Sequence, residues 1–265
     1  GTAEANSVVT IFDGGTQIGV VTADGTGAWT FTPDTALAEG SHSFTAQATD
    51  PQGNVSAVSG AWSVVVDLTA PTVPTLDTVN DNVPGGITGN LTSGQVTNDS
   101  TPTIGGTGQA GSTIHIMNNG TQIGTAIVDG SGNWSFTPTT PLVDGSYALR
   151  VYATDVAGNA SANSSVFTFT VDTAGPVVPV VTSVIDDIAP VTGTLTSGNT
   201  TNDARPTFNG TGEVGSTVHV IVDGNEIGTA VVNAQGNWTF TPGSDLSDGP
   251  HAITFNATDA AGNTG

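Results

Sequence analysis

One seven-residue phrase occurs three times in this chain at near-constant spacing. It reads GAWTFTP at residues 27–33, GNWSFTP at 132–138 and GNWTFTP at 236–242, so the tryptophans lie 105 and 104 residues apart. Repeats that stack into solenoids are shorter, with periods of roughly 20–50 residues. The spacing therefore predicts tandem copies of a whole domain.

Two further phrases come into register when the copies are aligned on their tryptophans. Ala-Thr-Asp-x-x-Gly-Asn begins at residues 48, 153 and 257, and Val-Asp precedes a proline at 66–67 and 171–172. Proline interrupts strand pairing and stiffens the chain. These positions predict repeats at 1–70, 71–175 and 176–265, the first lacking its opening strands and the third its last strand. We therefore expect the chain to be a piece of a longer array.

The middle repeat has the pattern of short β-strands throughout. Alternation places Ile114 and Ile116 on one face of a strand, and Asn119-Gly120 supplies the positive φ of a tight turn. A first strand at 73–79 and a long loop at 80–100 precede strands near 101–108, 112–118, 122–128, 133–137, 146–154 and 164–172. This pattern predicts an all-β chain of tandem immunoglobulin-like β-sandwich domains in a linear rod.

Charge and cysteine content exclude several classes of function. With 23 acidic residues against only Arg150 and Arg205, the formal charge is −21, which excludes the basic surface that nucleic-acid binding needs. The same charge argues against binding an anionic membrane, and no apolar run is long enough for a transmembrane helix. Cysteine is absent, so disulfides and thiolate metal sites are excluded. Calcium is then the obvious candidate for stabilising small domains that lack disulfides.

Catalytic motifs are absent from the sequence. It contains no nucleophile elbow, no metal-binding histidine pair and no glycine-rich loop that joins a strand to a helix. The acidic residues fall in polar loops rather than in an aromatic-walled cleft of the glycosidase kind. We therefore predict that the chain is not an enzyme.

The aromatic residues are better explained by core packing than by ligand binding. The three repeated tryptophans alternate with Phe31, Phe136 and Phe240, which favours core positions over sugar-stacking platforms. Trp62 occupies the position that Phe167 holds 105 residues later, which also predicts a core position. The four histidines do not cluster, and solvated or cross-strand roles are favoured for them over ligation.

Acidic residues converge at the ends of the predicted sandwiches. In this topology one end of the second repeat, the trailing end from which the chain leaves, contains Asp81, Asn98, Asp99 and Asp172. Glu213 and Asp259 of the third repeat face this end. Five carboxylates meeting there would repel, each pair by about 4 kcal/mol at roughly 4 Å and an effective dielectric constant of 20. Ca²⁺, which takes six to eight oxygens, would turn this repulsion into a clamp. The alternative is a set of separately solvated turn residues.

The same reasoning predicts related sites elsewhere in the chain. Between the first and second repeats, only Asp67 and Asp155 are available for a calcium site of this kind. At the trailing end of the third repeat lie Asp186, Asp187, Asn202 and Asp203. The candidate metal ligands are therefore Asp67, Asp81, Asp99, Asp155, Asp172, Asp186, Asp187, Asp203, Glu213 and Asp259.

Several phrases resemble one known family. Val171-Asp172-Thr173, Asp186-Asp187, Thr196-Ser197-Gly198, Thr201-Asn202-Asp203 and the phrase at 259–263 are similar to the bacterial Ig-like repeats of giant type I-secreted non-fimbrial adhesins and biofilm-associated proteins. The resemblance implies export to a Gram-negative cell surface, calcium bound in and between domains, and a stalk that presents an adhesive tip. The sequence departs from that pattern at Asn82, where the family has a second aspartate, and at Pro51-Gln52.

Two functional hypotheses follow from the sequence. The first is a calcium-stiffened adhesin stalk in cell adhesion or biofilm formation, a secreted monomer whose partners are neighbouring repeats of the same chain. The second is a lectin-like module, because Gly/Asn-rich loops and exposed carboxylates can bind host-cell glycans, often through calcium.

Overall fold

The structure, a computed structural model, describes residues 1–265 and contains only β-strands, turns and loops. This confirms the predicted all-β class of tandem Ig-like sandwiches. The chain divides into two compact units: Gly1–Thr72 with Thr154–Ser161, and Val73–Ala153 with Ala162–Gly265. The repeat boundaries at 70 and 175 stay a prediction. No segment of the chain forms a helix that could cross a membrane.

The first unit contains one four-stranded antiparallel sheet in the order β2-β1-β3-β4. Its strands are β1 (Val8–Asp13), β2 (Thr16–Thr22), β3 (Gly40–Thr49) and β4 (Trp62–Val66). The β1–β2 turn requires positive φ at both central residues, and Gly14 and Gly15 supply it with φ of 54° and 86°. Val9 and Ile11 form the buried face of β1.

The tryptophan phrase of the first unit forms no regular strand, only an isolated bridge between Ala28 and Thr2. Because one sheet alone cannot enclose a core, large side chains on it stay accessible. The predicted core position of Trp62 is wrong, since this residue is 76% exposed.

The second repeat is a complete sandwich of two sheets. Their orders are β10-β9-β12-β13-β7 and β11-β8-β5-β6. The strands are β5 (Thr78–Asp81), β6 (Gly89–Asn90), β7 (Val96–Thr97), β8 (Thr103–Thr107), β9 (Thr113–Asn118), β10 (Thr121–Ile127), β11 (Asn133–Phe136), β12 (Gly145–Thr154) and β13 (Phe167–Val171).

The predicted alternation places the core of this sandwich correctly. Ile114 and Ile116 are both fully buried, and Trp134, on the opposite sheet, is 4% exposed. Burial of each such side chain contributes about 1.5–3 kcal/mol. The predicted loop at 80–100 carries the short strands β6 and β7, and β7 pairs in parallel with β13. Two-residue strands are too short to show an alternating pattern.

The third repeat also forms two sheets, in the orders β15-β14-β16-β19 and β18-β17-β20. Phe208 and Trp238 are buried between them. The strands are β14 (Val180–Asp186), β15 (Gly193–Leu195), β16 (Thr207–Thr211), β17 (Thr217–Val222), β18 (Asn225–Val231), β19 (Asn237–Phe240) and β20 (Ile253–Thr258).

Candidate metal centre

Two buried carboxylates lie side by side at one end of the second repeat. Asp81 ends β5 and Asp99 follows β7, and each is 1% exposed. Thr97 links them, because its hydroxyl donates to Asp81 Oδ2 and accepts a hydrogen bond from the Asp99 backbone N at 3.0 Å. We call Asp81, Thr97 and Asp99 the first carboxylate pair.

Backbone N–H groups hold the other oxygens of this pair. Val83 N donates to Asp81 Oδ1 at 2.8 Å, Thr101 N to Asp99 Oδ1 at 2.7 Å, and Asn82 N to Asp99 Oδ2 at 3.3 Å. Neither carboxylate forms an ion pair, because the salt bridges of the chain involve other acids. Burying a negative charge without a positive partner is costly. Here the carboxylates of Asp81 and Asp99 are compensated only by N–H and O–H donors of the surrounding loop, so the site stays electronegative.

The third repeat contains the same arrangement, which we call the second carboxylate pair: Asp186, Thr201 and Asp203. Thr201 Oγ1 donates to Asp186 Oδ2 at 2.6 Å and accepts from Asp203 N at 2.9 Å. Asp186 is 3% exposed and Asp203 is 7% exposed. The phrase Thr-Asn-Asp at 97–99 and 201–203 therefore builds the same local structure twice.

Each pair has a buried oxygen close by in sequence that lacks a hydrogen-bond donor. These atoms are Asn98 Oδ1 beside the first pair and Asp203 Oδ2 within the second. The amide of Asn98 is oriented by a bond from Nδ2 to Pro84 O at 3.3 Å, and Asn202 makes the matching bond to Ala189 O at 3.0 Å. Buried oxygens are normally paired. Carboxylate and amide oxygens are the ligands that Ca²⁺ prefers, so the donor set fits this cation.

The expected meeting of five carboxylates is not found. No three histidine, aspartate or glutamate side chains in the chain are grouped so that they could hold a metal ion. The other acids accept backbone hydrogen bonds elsewhere: Asp172 Oδ1 accepts from Ala174 N in its own turn at 3.2 Å, and Glu213 Oε2 accepts from Val177 N, in the segment before β14, at 3.3 Å. Asp187 is exposed.

Asp259 organises a turn whose asparagine holds the end of the second repeat. Asp259 Oδ1 and Oδ2 accept from the backbone N and side-chain Nδ2 of Asn263, both at 2.9 Å. The same Nδ2 also donates to the Asp172 backbone O at 2.8 Å. We call this contact between a turn asparagine and the preceding repeat's carbonyl an asparagine clasp.

The clasp brings the 259–263 turn close to the first carboxylate pair. Asp172 N donates to the backbone O of Thr97, the residue that links the pair, at 2.9 Å. On the same side, the backbone at Gly85 and Gly86 packs directly against Ala261 and Gly262, and a Cβ at Gly86 would overlap the Ala261 carbonyl oxygen. Glycine is needed there because the two backbones approach so closely.

The first unit contains a second asparagine clasp. Asn159 Nδ2 donates to the Asp67 backbone O at 3.0 Å, and Asp155 accepts from the backbone and side chain of Asn159 at 2.9 Å. The hydrogen bond from the Asn159 side chain lowers the pKa of Asp155 below its usual value. The Asp67 carboxylate accepts from Thr69 N at 3.1 Å.

The contacts of Asn159 and Asn263 were missed by sequence reasoning. The repeated Asp-x-x-Gly-Asn phrase was a usable signal, since two of its three copies end in the clasping residue. The asparagines contribute a donor rather than a metal ligand, so a search for oxygen ligands passes over them.

The chain matches a family model described as "Bacterial Ig-like domain" over residues 1–68, 72–173 and 180–265. Among curated proteins, exoglucanase B of Cellulomonas fimi is 29% identical over 262 residues, covering 96% of this chain and 21% of that protein. Exoglucanase A of the same organism is 36% identical over 129 residues, covering 46% and 13% respectively. The chain thus spans about a fifth or less of these relatives.

Solved structures that are similar to this chain include a tetra-tandem repeat from the extending region of a large adhesion protein. It is 23% identical with a TM-score of 0.31, covering 99% of this chain and 65% of that one. The fibronectin(III)-like modules of Clostridium thermocellum CbhA are 20% identical with a TM-score of 0.35, covering 65% and 81%. Likeness at this level carries no argument about function.

Proposed function

This chain belongs to the bacterial Ig-like domain family, and from that premise we propose that it is a calcium-stiffened spacer segment of a bacterial surface adhesin. In this role the repeats hold an adhesive part of a longer protein away from the cell, in cell adhesion or biofilm formation. The resemblance to type I-secreted adhesin repeats supports the proposal, as do three family repeats in tandem.

The observation that carries the calcium proposal is the recurrence of a buried, uncompensated carboxylate pair. Asp81 with Asp99, and Asp186 with Asp203, are nearly inaccessible and have no cationic partner. Asp203 Oδ2 is also buried without a donor. The same costly arrangement in two repeats supports a bound cation there, since the chain has no lysine and its two arginines, Arg150 and Arg205, do not pair with these carboxylates.

Bound calcium would supply the missing positive charge. Asp81, Asp99 and Asn98 would hold it in the second repeat, and Asp186, Asn202 and Asp203 in the third. The first pair is linked through Thr97 and Asp172 to the Asn263 clasp, so ordering this pair would also order the joint. Affinity in the range of extracellular modules, roughly 10⁻⁴–10⁻³ M, would suffice outside the cell.

Calcium titration calorimetry on the whole chain tests the site. We expect Asp203→Asn to abolish the binding event assigned to the second pair, since it removes a buried ligand charge. The matched control is Asp248→Asn, which removes one charge from an exposed turn and should leave binding unchanged. Equal binding by the wild type and both variants would overturn the proposed site.

Small-angle scattering with calcium and with a chelator tests the stiffening. We expect a larger maximum dimension and a narrower distribution of distances in calcium. Calcium binding without a change in dimensions would retain the metal site and reject its mechanical role.

A second spacer role is favoured by the curated relatives, which are named as exoglucanases. In that setting the repeats would separate the parts of a secreted polysaccharide-degrading enzyme, without being catalytic themselves. Both roles place the chain outside the cell, and the calcium experiments apply to both.

Direct glycan recognition by lectin-like repeats is the competing function. A glycan array probed with the whole chain in calcium distinguishes the two, because a spacer should bind no glycan. Selective, calcium-dependent binding to one class of glycan would replace the spacer proposal.

A further inference from the structure

One aligned position carries a corner contact in all three repeats. In the second repeat Tyr147 Oη donates to the backbone O of Val143, four residues earlier, at 2.8 Å. This is the geometry of the tyrosine corner of immunoglobulin-like sandwiches. His42 and His251 take the same position, and their Nε2 atoms contact Ala38 O at 2.8 Å and Ser247 O at 2.7 Å.

The second nitrogen of each imidazole contacts a carboxylate. His42 Nδ1 pairs with Asp13 Oδ2, and His251 Nδ1 pairs with Asp223 Oδ2 at 2.7 Å. A neutral imidazole has only one N–H donor, but in these corners both ring nitrogens contact an acceptor. Only the doubly protonated imidazolium satisfies both contacts.

The carboxylate of each pair also holds the neighbouring backbone. Asp13 Oδ1 accepts from Ser43 N at 2.9 Å, and Asp223 Oδ1 accepts from Ala252 N at 2.8 Å. The His–Asp pair of the first repeat therefore holds the hairpin turn 13–16 against β3, and that of the third repeat holds the turn 222–225 against the segment that leads into β20. The imidazole ring is central to this contact, because its Nε2 also contacts a backbone carbonyl of the preceding loop.

The second repeat makes the same connections with neutral groups. Asn118 occupies the position of Asp13, 105 residues later, and its Oδ1 accepts from Ala148 N at 3.0 Å. Tyr147 contacts the loop carbonyl in place of histidine. Neither group changes charge near neutral pH, so this repeat is a built-in reference.

Few other charged groups surround the two histidines. On the loop before His42 lie Asp34 and Glu39, and Glu39 accepts a hydrogen bond from Thr69. Strand β4, beside β3, contains no titratable residue. Phe44 stacks on His42 with ring centroids 5.9 Å apart.

Around His251 the preceding loop carries Asp248 and Asp245, and Asp245 pairs with Arg205 at 3.2 Å. On β17 and β18, Glu226 contacts His219. Apart from Arg205, which is already paired, the surrounding charges are acidic, so they also favour the imidazolium.

We infer that the corners His42–Asp13 and His251–Asp223 are proton-dependent braces, which strengthen the first and third repeats in mildly acidic surroundings while the second repeat is unaffected. The ligand of each brace is a proton, taken up by the imidazole and held between the carboxylate and the loop carbonyl. This inference is independent of calcium.

The direction of the pH dependence follows from the two partners. Hydrogen bonding to Asp13 and Asp223 raises the pKa of His42 and His251 above 6.5. Stability from the ring is therefore complete below pH 6.5 and is lost as the pH rises through the raised pKa. The histidines lower the pKa of both aspartates below 3.8, so the carboxylate contribution is complete above 3.8 and is lost as the pH falls through the lowered pKa.

His219 shows why the two-acceptor geometry matters. Its Nδ1 contacts Glu226 at 3.0 Å, but its Nε2 contacts the hydroxyl of Thr258 at 2.9 Å. A hydroxyl can donate as well as accept. A neutral ring therefore satisfies both contacts of His219, and this residue is not a brace.

Histidine titration by NMR on the whole chain, in a chelator, tests the inference without any contribution from calcium. We expect His251 to titrate above the free imidazole range, and Asp223→Asn to lower its midpoint while leaving that of His42 unchanged. An unchanged His251 midpoint in Asp223→Asn would overturn the inference.

Thermal unfolding from about pH 5.5 to 8 provides the second test. Replacing His251 with the tyrosine of the second repeat, His251→Tyr, should flatten the pH dependence of the third repeat. The double variant Asn118→Asp with Tyr147→His should introduce such dependence into the second repeat. If the double variant folds and remains insensitive to pH, the brace is refuted even where His251→Tyr fails to fold.

Discussion

Trp29 in the first unit and Trp134 in the second repeat belong to the same phrase but have different environments. Trp134 Nε1 donates to Thr75 O at 3.1 Å and to Thr107 O at 3.2 Å; Thr107 ends β8, and Thr75 lies beside it. Trp29 Nε1 is buried with no acceptor, and its unit has a single sheet. The phrase is common to both, but the carbonyls that satisfy Trp134 come from β8 and the chain beside it, in the sheet that contains β11.

The two units are alike in their clasps. Asn159 in the first unit and Asn263 in the second each donate to a backbone carbonyl, at 3.0 and 2.8 Å. This contact needs a turn and one carbonyl, whereas the hydrogen bonds of Trp134 need the pairing of β11 with β8. The local clasp is therefore present in both units, although the first unit lacks that pairing.

The largest expected difference between the units concerns the tryptophans. Trp134→Ala should destabilise the second repeat by about 3–5 kcal/mol, because it leaves a cavity in a closed core. Trp29→Ala should cost less than about 2 kcal/mol, because the single sheet of the first unit has no opposing sheet that encloses this side chain. Hydrogen exchange of β8 and β1 amides measures each loss locally. Trp62→Ala, at a side chain that is 76% exposed, is the control, and equal losses for Trp29 and Trp134 would break the comparison.

A smaller effect is expected at the glycine contact of the second unit. Gly86→Ala should destabilise the packing against Ala261 by about 1–3 kcal/mol, since the added methyl overlaps a backbone carbonyl. Faster hydrogen exchange at Gly262 and Gly265 would report the loosening. Gly130→Ala, where the methyl meets open space, should leave these amides unchanged, and a similar response from both variants would show that the contact is unimportant.

The smallest effect is expected at the clasps, and it should be the same in both units. Asn263→Ala and Asn159→Ala should each cost about 0.5–1.5 kcal/mol, the net contribution of an ordinary hydrogen bond. Local hydrogen exchange again provides the measurement. Asn54→Ala is the matched control, because Asn54 makes the same turn with Asp50 but has no clasped carbonyl. A loss no greater than that of Asn54→Ala would show that the turn alone matters.

Much of the fold could be predicted from particular residues. The alternation of Ile114 with Ile116 and of Trp134 with Phe136 identified the sandwich, because burial imposes a period of two on a strand. Strands β6 and β7 could not be predicted, since two residues show no period. Trp62 was misplaced because a position shared with Phe167 says nothing about whether a second sheet covers it.

The candidate site was predicted in part. Asp81 lies beside Asp99, and Asp186 beside Asp203, because the predicted topology places their loops next to each other. The structure does not group Asp172, Glu213 and Asp259 with these pairs, because topology places residues at one end of a domain but does not say how far a side chain reaches, and their role as ligands stays a prediction. The metal itself stays a prediction for the calcium titration.

The clasp has a consequence for how such chains lengthen. Asn263 donates to a backbone carbonyl oxygen, an acceptor that every residue type has. A joint of this kind makes no demand on the side chain of the neighbour that it grips, so a duplicated repeat inherits a working connection at once. The surface side chains of each copy can then change without loss of the asparagine clasp.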